Sequence, residues 1–238
     1  MQKKTMSMFA SAFLMYCGLN IPVFQAGAQV VKSAYPVMAP VDKYMIEDQD
    51  SEIALARSAA PQSISDGAEV LVLKRDGYVT AVKGGNGFVC LVERSFGAAT
   101  DDPVFWNPKV RGPNCVNAAA ARSYLPGVLM KAKLALAGRS KTEIARAVNS
   151  AMDRKELTMP EPGAMCYMIS KQQYLSDEGM NWHPHLMFFV QGDAAKSWGA
   201  DLPGSPVMAA NDPEDRMTIL MVWVGNWSDR SPAPQAMK

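Results

Sequence analysis

Three short runs of β-branched and aromatic residues, 68–74, 78–83 and 88–94, follow one another with only Arg75-Asp76-Gly77 and Gly84-Gly85-Asn86-Gly87 between them. Asp-Gly and Asn-Gly between such runs are hairpin turns, because glycine takes the positive φ that a tight reversal needs. A chain with this pattern has to build a sheet, and the spacing predicts a three-stranded antiparallel meander. A stretch at 42–60 rich in Glu, Ala, Leu and Met precedes it and stops before Pro61. It reads as a helix with Tyr44, Met45, Leu55, Ala56 and Ala59 turned inward.

Beyond the meander, residues 95–116 carry Gly97, Pro103, Pro108, Gly112 and Pro113 around Phe105 and Trp106, the composition of a long loop. Helical patterning returns at 117–137, interrupted at Pro126-Gly127, and again at 140–156, where Ser140 and Glu143 have the spacing of a capping box. Ile144, Val148 and Met152 recur on one face of that last helix. Strand patterning resumes at 164–170 and 185–191, a Gly/Pro-rich stretch covers 192–213, and a final strand is expected at 217–224. Strands and helices come in separate blocks, so the expected fold is α+β with a mostly antiparallel sheet: a meander, helices, then about three further strands.

The first residues have a different character. Lys3 and Lys4 precede an uncharged stretch from Met6 to Phe24, and Ala26-Gly27-Ala28 puts small residues where a signal peptidase cuts. This is the layout of a cleavable secretory signal over 1–28, and it implies a periplasmic or secreted protein. Asn20 and Pro22 interrupt the apolar run, against a retained anchor, and no later run has membrane-spanning length, so stable membrane insertion after cleavage is not expected. The organisation expected is a signal at 1–28, a linker at 29–40, one globular domain at 41–228 and a loose tail at 229–238. The whole chain holds 24 Lys and Arg against 23 Asp and Glu. Taking away Lys3 and Lys4 leaves 22 against 23, a near-neutral balance that excludes bulk attraction to nucleic acid.

Export gives the cysteines a meaning. Cys17 would leave with the signal, and Cys90, Cys115 and Cys166 would remain. Disulfides persist outside the cytoplasm, and Cys90–Cys115 is the preferred pair because it closes the shorter loop and ties the irregular segment holding Cys115 to the strand holding Cys90. Cys166, between Met165 and Tyr167, would then be a buried free thiol.

The runs 52–61, 86–94 and 182–189 (EIALARSAAP, NGFVCLVER and WHPHLMFF) resemble a group of exported bacterial proteins to which no reaction is assigned. The resemblance spans about 40–228. It implies export and a shared fold, and it brings no catalytic residue with it.

Two groups of residues are candidates for chemistry. His183 and His185 are the chain's two histidines, and in extended backbone residues two apart face the same way. Side by side, two imidazoles could hold a divalent metal, with Asp177, Glu178, Asp193 or Glu93 as the available carboxylates. Against this stands the plainer reading, in which one imidazole caps the loop and the other is a packed core or rim residue. Trp106, Trp182 and Trp198 lie in or beside loops, where aromatic rings could form a platform for a ligand. Neither a nucleophile-elbow motif nor a zincin helix is present, and Lys83-Gly84-Gly85-Asn86-Gly87 leads into a strand and lacks the ending of a phosphate loop. The sequence therefore points first to an exported domain that binds a small ligand or an envelope partner. The alternative is a metal-assisted hydrolase or related enzyme built on His183 and His185.

Overall fold

A computed structural model describes residues 34–179 and 182–234; the expected leader lies outside the described residues. Eight strands, β1 (Glu69–Lys74), β2 (Gly77–Val82), β3 (Val89–Glu93), β4 (Gly112–Val116), β5 (Met165–Met168), β6 (His185–Gln191), β7 (Val207–Asp212) and β8 (Met217–Trp223), form one sheet in the order β2-β1-β3-β4-β5-β6-β8-β7. β1 and β3 run parallel, and every other neighbouring pair is antiparallel. The α-helices among the described residues are α1 (Gln49–Arg57), α2 (Gln62–Ser65), α3 (Ala118–Ser123), α4 (Leu125–Leu136) and α5 (Lys141–Asp153). The α+β class and the mostly antiparallel sheet follow as expected.

The meander does not. Asp76-Gly77 turns β1 into β2 as a hairpin, but β3 lies on the other side of β1 and parallel to it. The glycine segment that looked like a second hairpin turn instead carries the chain across the start of β1. Gly85 and Asn86 donate their N–H groups to the Gly67 carbonyl, and the Asn86 amide donates to the Ile64 carbonyl at 2.7 Å. Gly84 passes so close that a Cβ there would sit 2.0 Å from the Glu69 nitrogen. Backbone cannot yield as a side-chain tip can, so only glycine fits the crossing.

Other boundaries shifted for local reasons. The helix expected over 42–60 is a 3-10 turn at Val41–Tyr44, then α1, started by the Asp48 carboxylate accepting from the Ser51 N–H at 3.0 Å. Ser140 and Glu143 form the capping box at the start of α5. Cys115 is not in a loop: β4 was hidden by Gly112 and Pro113. β5 pairs only with Cys115 and Val116, so Pro113 lies outside that ladder, where a missing N–H costs nothing. Likewise β7 lies unannounced inside the Gly/Pro-rich stretch, paired along its whole length with β8.

The sheet separates two layers. Val70, Cys90, Val92 and Cys115 face α1, packing on Ala56, Ala59 and Ala60. Cys90 and Cys115 are register partners in β3 and β4 and are joined by a disulfide, with Cα atoms 4.0 Å apart. Leu71, Leu91, Val116, Cys166 and Phe189 face the other way, onto Ala120 of α3, Leu125 and Val128 of α4, and Tyr124 between the two helices. Further along, α4 and α5 close over Tyr44, Leu73, Phe96, Phe105 and Trp106. Among the described residues no helix is long and apolar enough to cross a membrane.

Candidate functional site

A cleft of about 460 Å³ opens on the sheet face that carries α3 and α4, just beyond the end of that helical cover. Its floor is apolar and rich in methionine: Met168 of β5, Met187 of β6, and Met217 and Ile219 of β8 all present side chains there. Unbranched thioethers adapt to irregular shapes, which suits a surface that receives different contours. One wall is the loop 97–104 after β3. The other is Ala210–Asp212 of β7 with the turn that follows. A pocket of this size, mostly apolar with a few placed polar groups, is what small-molecule sites look like.

The polar group at its head is Glu93. Strand alternation places it on the same face as Leu91, so this carboxylate points inward from the end of an otherwise apolar strand. Asn114 on β4 donates its amide to Glu93 Oε1 at 2.6 Å, and the Tyr124 hydroxyl lies 3.3 Å from Oε1 and 3.4 Å from Oε2. Tyr124 is itself held by its ring, stacked on Phe189 with centroids 3.8 Å apart. Desolvation by the surrounding protein raises the Glu93 carboxyl to about 7, against the opposing pull of Asn114, Tyr124 and Lys131. A carboxyl poised there exchanges its proton near neutral pH and can meet either a donor or an acceptor on a ligand.

One further polar atom near Glu93, the Ser95 hydroxyl, has no hydrogen-bond partner among the described residues and lines the cleft although the residue is only 2% exposed. Buried hydroxyls are ordinarily satisfied, so an orphan beside a cavity marks a place where a solute or water completes the bonding. Gly97 covers the carboxylate from the loop side; a Cβ there would stand 2.8 Å from Glu93 Oε2.

The far lip is acidic and internally braced. Lys131, with no exposed surface, reaches from α4 to Asp215 at 2.7 Å and to the Ala98 carbonyl at 3.4 Å. Burial works against its charge, but Asp215, Asp212 and Glu214 outweigh that and hold the ammonium above its ordinary value. Glu214 accepts from both the N–H and the hydroxyl of Thr100, tying the β7–β8 turn to the loop wall. Burial, then repulsion from Asp215, pushes the Asp212 carboxyl up.

No protein-family model matches the chain, and no curated protein or solved structure matches it. Its chemistry therefore has to be read from these side chains.

The residues singled out from sequence lie elsewhere. Trp106 is buried against Phe105 and receives the Tyr44 hydroxyl on its carbonyl, which makes it a core residue and not a platform. Trp198 packs near Phe188 on the opposite face of the sheet from Met187. Trp182, at a positive φ of 46°, meets His185 edge-on and stands perpendicular to Trp223. None of the three lines the cleft. His183 stacks on Trp223, while His185 is buried and donates Nδ1–H to the His183 carbonyl at 2.8 Å. Burial keeps the His185 imidazole below its ordinary value, hence neutral. Among the described residues no three His, Cys, Asp or Glu side chains gather as a metal ion requires. Asp177, one of the candidate carboxylates, is taken up by the Tyr35 and Tyr174 hydroxyls and Lys109.

Cys166 is sealed on the cleft side of the sheet, and desolvation, then Glu93, pushes its thiol well up, so it stays protonated and inert. From the sequence, Glu93 is a candidate only as a carboxylate beside the histidines. The available signal was its parity with Leu91, which puts a carboxylate on an inward face.

Proposed function

We propose that this chain is an exported binding domain that holds a small, largely apolar molecule in the cleft headed by Glu93. The observation that carries the reading is the pairing of a 460 Å³ methionine-floored cleft with an orphaned polar group on its wall, the Ser95 hydroxyl. Export is supported by the leader-like first 28 residues and by the Cys90–Cys115 disulfide. Among the described residues the cleft shows no nucleophile hydrogen-bonded to a base: the Ser95 hydroxyl has no partner and Cys166 is sealed. Binding without turnover is therefore the better match to the side chains present.

The cleft is tested with a neutral fluorescent probe, N-phenylnaphthylamine, and a blocking variant. Ala210 lines the cleft from the exposed edge strand β7, so Ala210→Trp fills the opening without disturbing the core. Saturable fluorescence enhancement in the parent and its loss in Ala210→Trp are expected. Enhancement that Ala210→Trp leaves unchanged overturns the assignment of the cleft. Export is tested by mass spectrometry of the chain recovered from expressing cells: an N-terminus at Gln29 is expected, and a chain that keeps Met1 overturns it.

A further inference from the structure

We propose that the molecule held in this cleft is an organic cation, an amine or amidine on an apolar body, whose charged group meets Glu93. The inference rests on the binding reading above and adds the ligand's charge to it.

Charge is distributed one way around the cavity. Glu93, Asp101, Asp102, Asp212 and Asp215 line it, and the one basic residue among the lining side chains is Arg94. Arg94 does not serve the cleft. It lies on the α1 side of the sheet, where its guanidinium donates to Glu52, to the Tyr44 carbonyl and to the Val92 carbonyl. Lys131 neutralises Asp215 from within the protein and is sealed from solvent. What remains is a carboxylate at the head, with Asp101, Asp102 and Asp212 at the lip, none of them in an ion pair among the described residues. An anionic ligand would meet like charge at both ends, whereas a cation would be attracted on entry and bonded at the head.

The hydrogen-bond inventory agrees. Glu93 Oε1 accepts from Asn114 at 2.6 Å, but Oε2 has only the long contact with Tyr124 at 3.4 Å. An ionised carboxylate offers about four acceptor positions, so capacity is left on the side facing the cavity. The Ser95 hydroxyl, unpartnered among the described residues, can accept as well as donate. A group with several N–H donors can bond the free positions of an ionised Glu93 and the Ser95 hydroxyl together; a carboxylate or phosphate would meet that carboxylate with acceptors only. The groups facing Glu93 from the elements around it are Tyr78 of β2, Tyr124, Lys131 of α4 and Cys166 of β5. Lys131 is the sole cation of that set, and it is already committed to Asp215.

The balance of the step is simple. Below neutrality Glu93 carries a proton, and an incoming ammonium displaces it to solvent, leaving a carboxylate–ammonium pair with no other bond made or broken.

The test uses three probes of one shape: phenethylamine, phenethyl alcohol and phenylacetate, each displacing N-phenylnaphthylamine from the purified protein. The amine should bind about tenfold or more tightly than the alcohol, in line with a charge-assisted hydrogen bond, and the acid most weakly. Glu93→Gln should bring the amine down to the affinity of the alcohol. Titration calorimetry at about pH 6 in two buffers of different ionisation enthalpy should show release of the greater part of a proton with the amine alone. If the three probes bind equally, or the amine fails to displace a dye that Ala210→Trp still excludes, the cation assignment is overturned while the cleft stands. If the dye ignores Ala210→Trp, both readings fall together. Should Glu93→Gln not fold, the calorimetry decides: heats independent of buffer overturn the proposal.

Discussion

Glu52 on α1 reaches the guanidinium of Arg94 at 2.9 Å, and both side chains are sealed from solvent. The same carboxylate oxygen accepts the Leu73 N–H of β1, so one buried atom joins a helix, a strand and the residue that follows β3. Removing one partner leaves an uncompensated buried charge, which costs about 3–5 kcal/mol. Glu52→Ala and Arg94→Ala should each lower stability by that amount in urea unfolding. A Glu52→Gln, Arg94→Met pair should recover a large part of it, because it removes the charges together and keeps a group that can accept from Leu73. A loss under 1 kcal/mol for either alanine variant contradicts the burial.

Glu93 gives stability a pH dependence of defined sign. Its carboxyl is about 7 in the fold against 4.5 for the free group. A raised carboxyl favours the protonated state in the fold, so its contribution is full below about 4.5 and is lost as pH rises through about 7. The loss across that window is up to about 3 kcal/mol, lessened by water in the cleft. Urea midpoints measured from pH 4 to pH 8 should fall on this account in the parent. In Glu93→Gln this component should be absent, and parallel curves for the two proteins exclude the assignment.

The Cys90–Cys115 bond closes a separation of 25 residues and is buried under α1. Replacing both cysteines by alanine should cost about 3 kcal/mol through the freedom returned to the unfolded chain. Reductant should not reach the bond until the protein opens, so reduction should track global unfolding. Rapid reduction under native conditions, followed by mass spectrometry of alkylated peptides, would contradict its burial.

Lys131 braces the two walls of the cleft from behind. Lys131→Met strips Asp215 of its cation and leaves the Ala98 carbonyl without that donor. Stability should drop by about 3 kcal/mol or more, as for a broken buried pair. Amide exchange at Thr100, whose N–H is held by Glu214, should accelerate more than exchange in β3. Equal acceleration everywhere indicates a general loss of stability and no local brace.

What could be read from the sequence was local. Asp76-Gly77 turned β1 into β2, Ser140 and Glu143 capped α5, and 185–191 was a strand from end to end, because each depends on residues a few positions apart. The place of β3 beside β1 depends on where the chain goes after Gly84, and no local propensity encodes that. β4 and β7 were missed because proline and glycine dominate their surroundings, while their existence is owed to partners far along the chain. The site fared the same way. Glu93, Lys131 and Glu52 look like ordinary charged residues until the strand and helix faces on which they sit are known. The histidines and tryptophans attracted notice by their rarity, and three-dimensional packing took most of them into the core or the rim.

The two walls of the cleft are not neighbours along the chain. One follows β3 and the other is the end of β7 with the turn after it, and they are fastened to each other by Thr100 with Glu214 and by Lys131 with Asp215 and Ala98. The width of the entrance consequently depends on a few side-chain bonds as well as on the strand ladder beneath. Substitutions at Thr100, Glu214, Lys131 and Asp215 could retune which guests are admitted while the architecture that carries them stays the same.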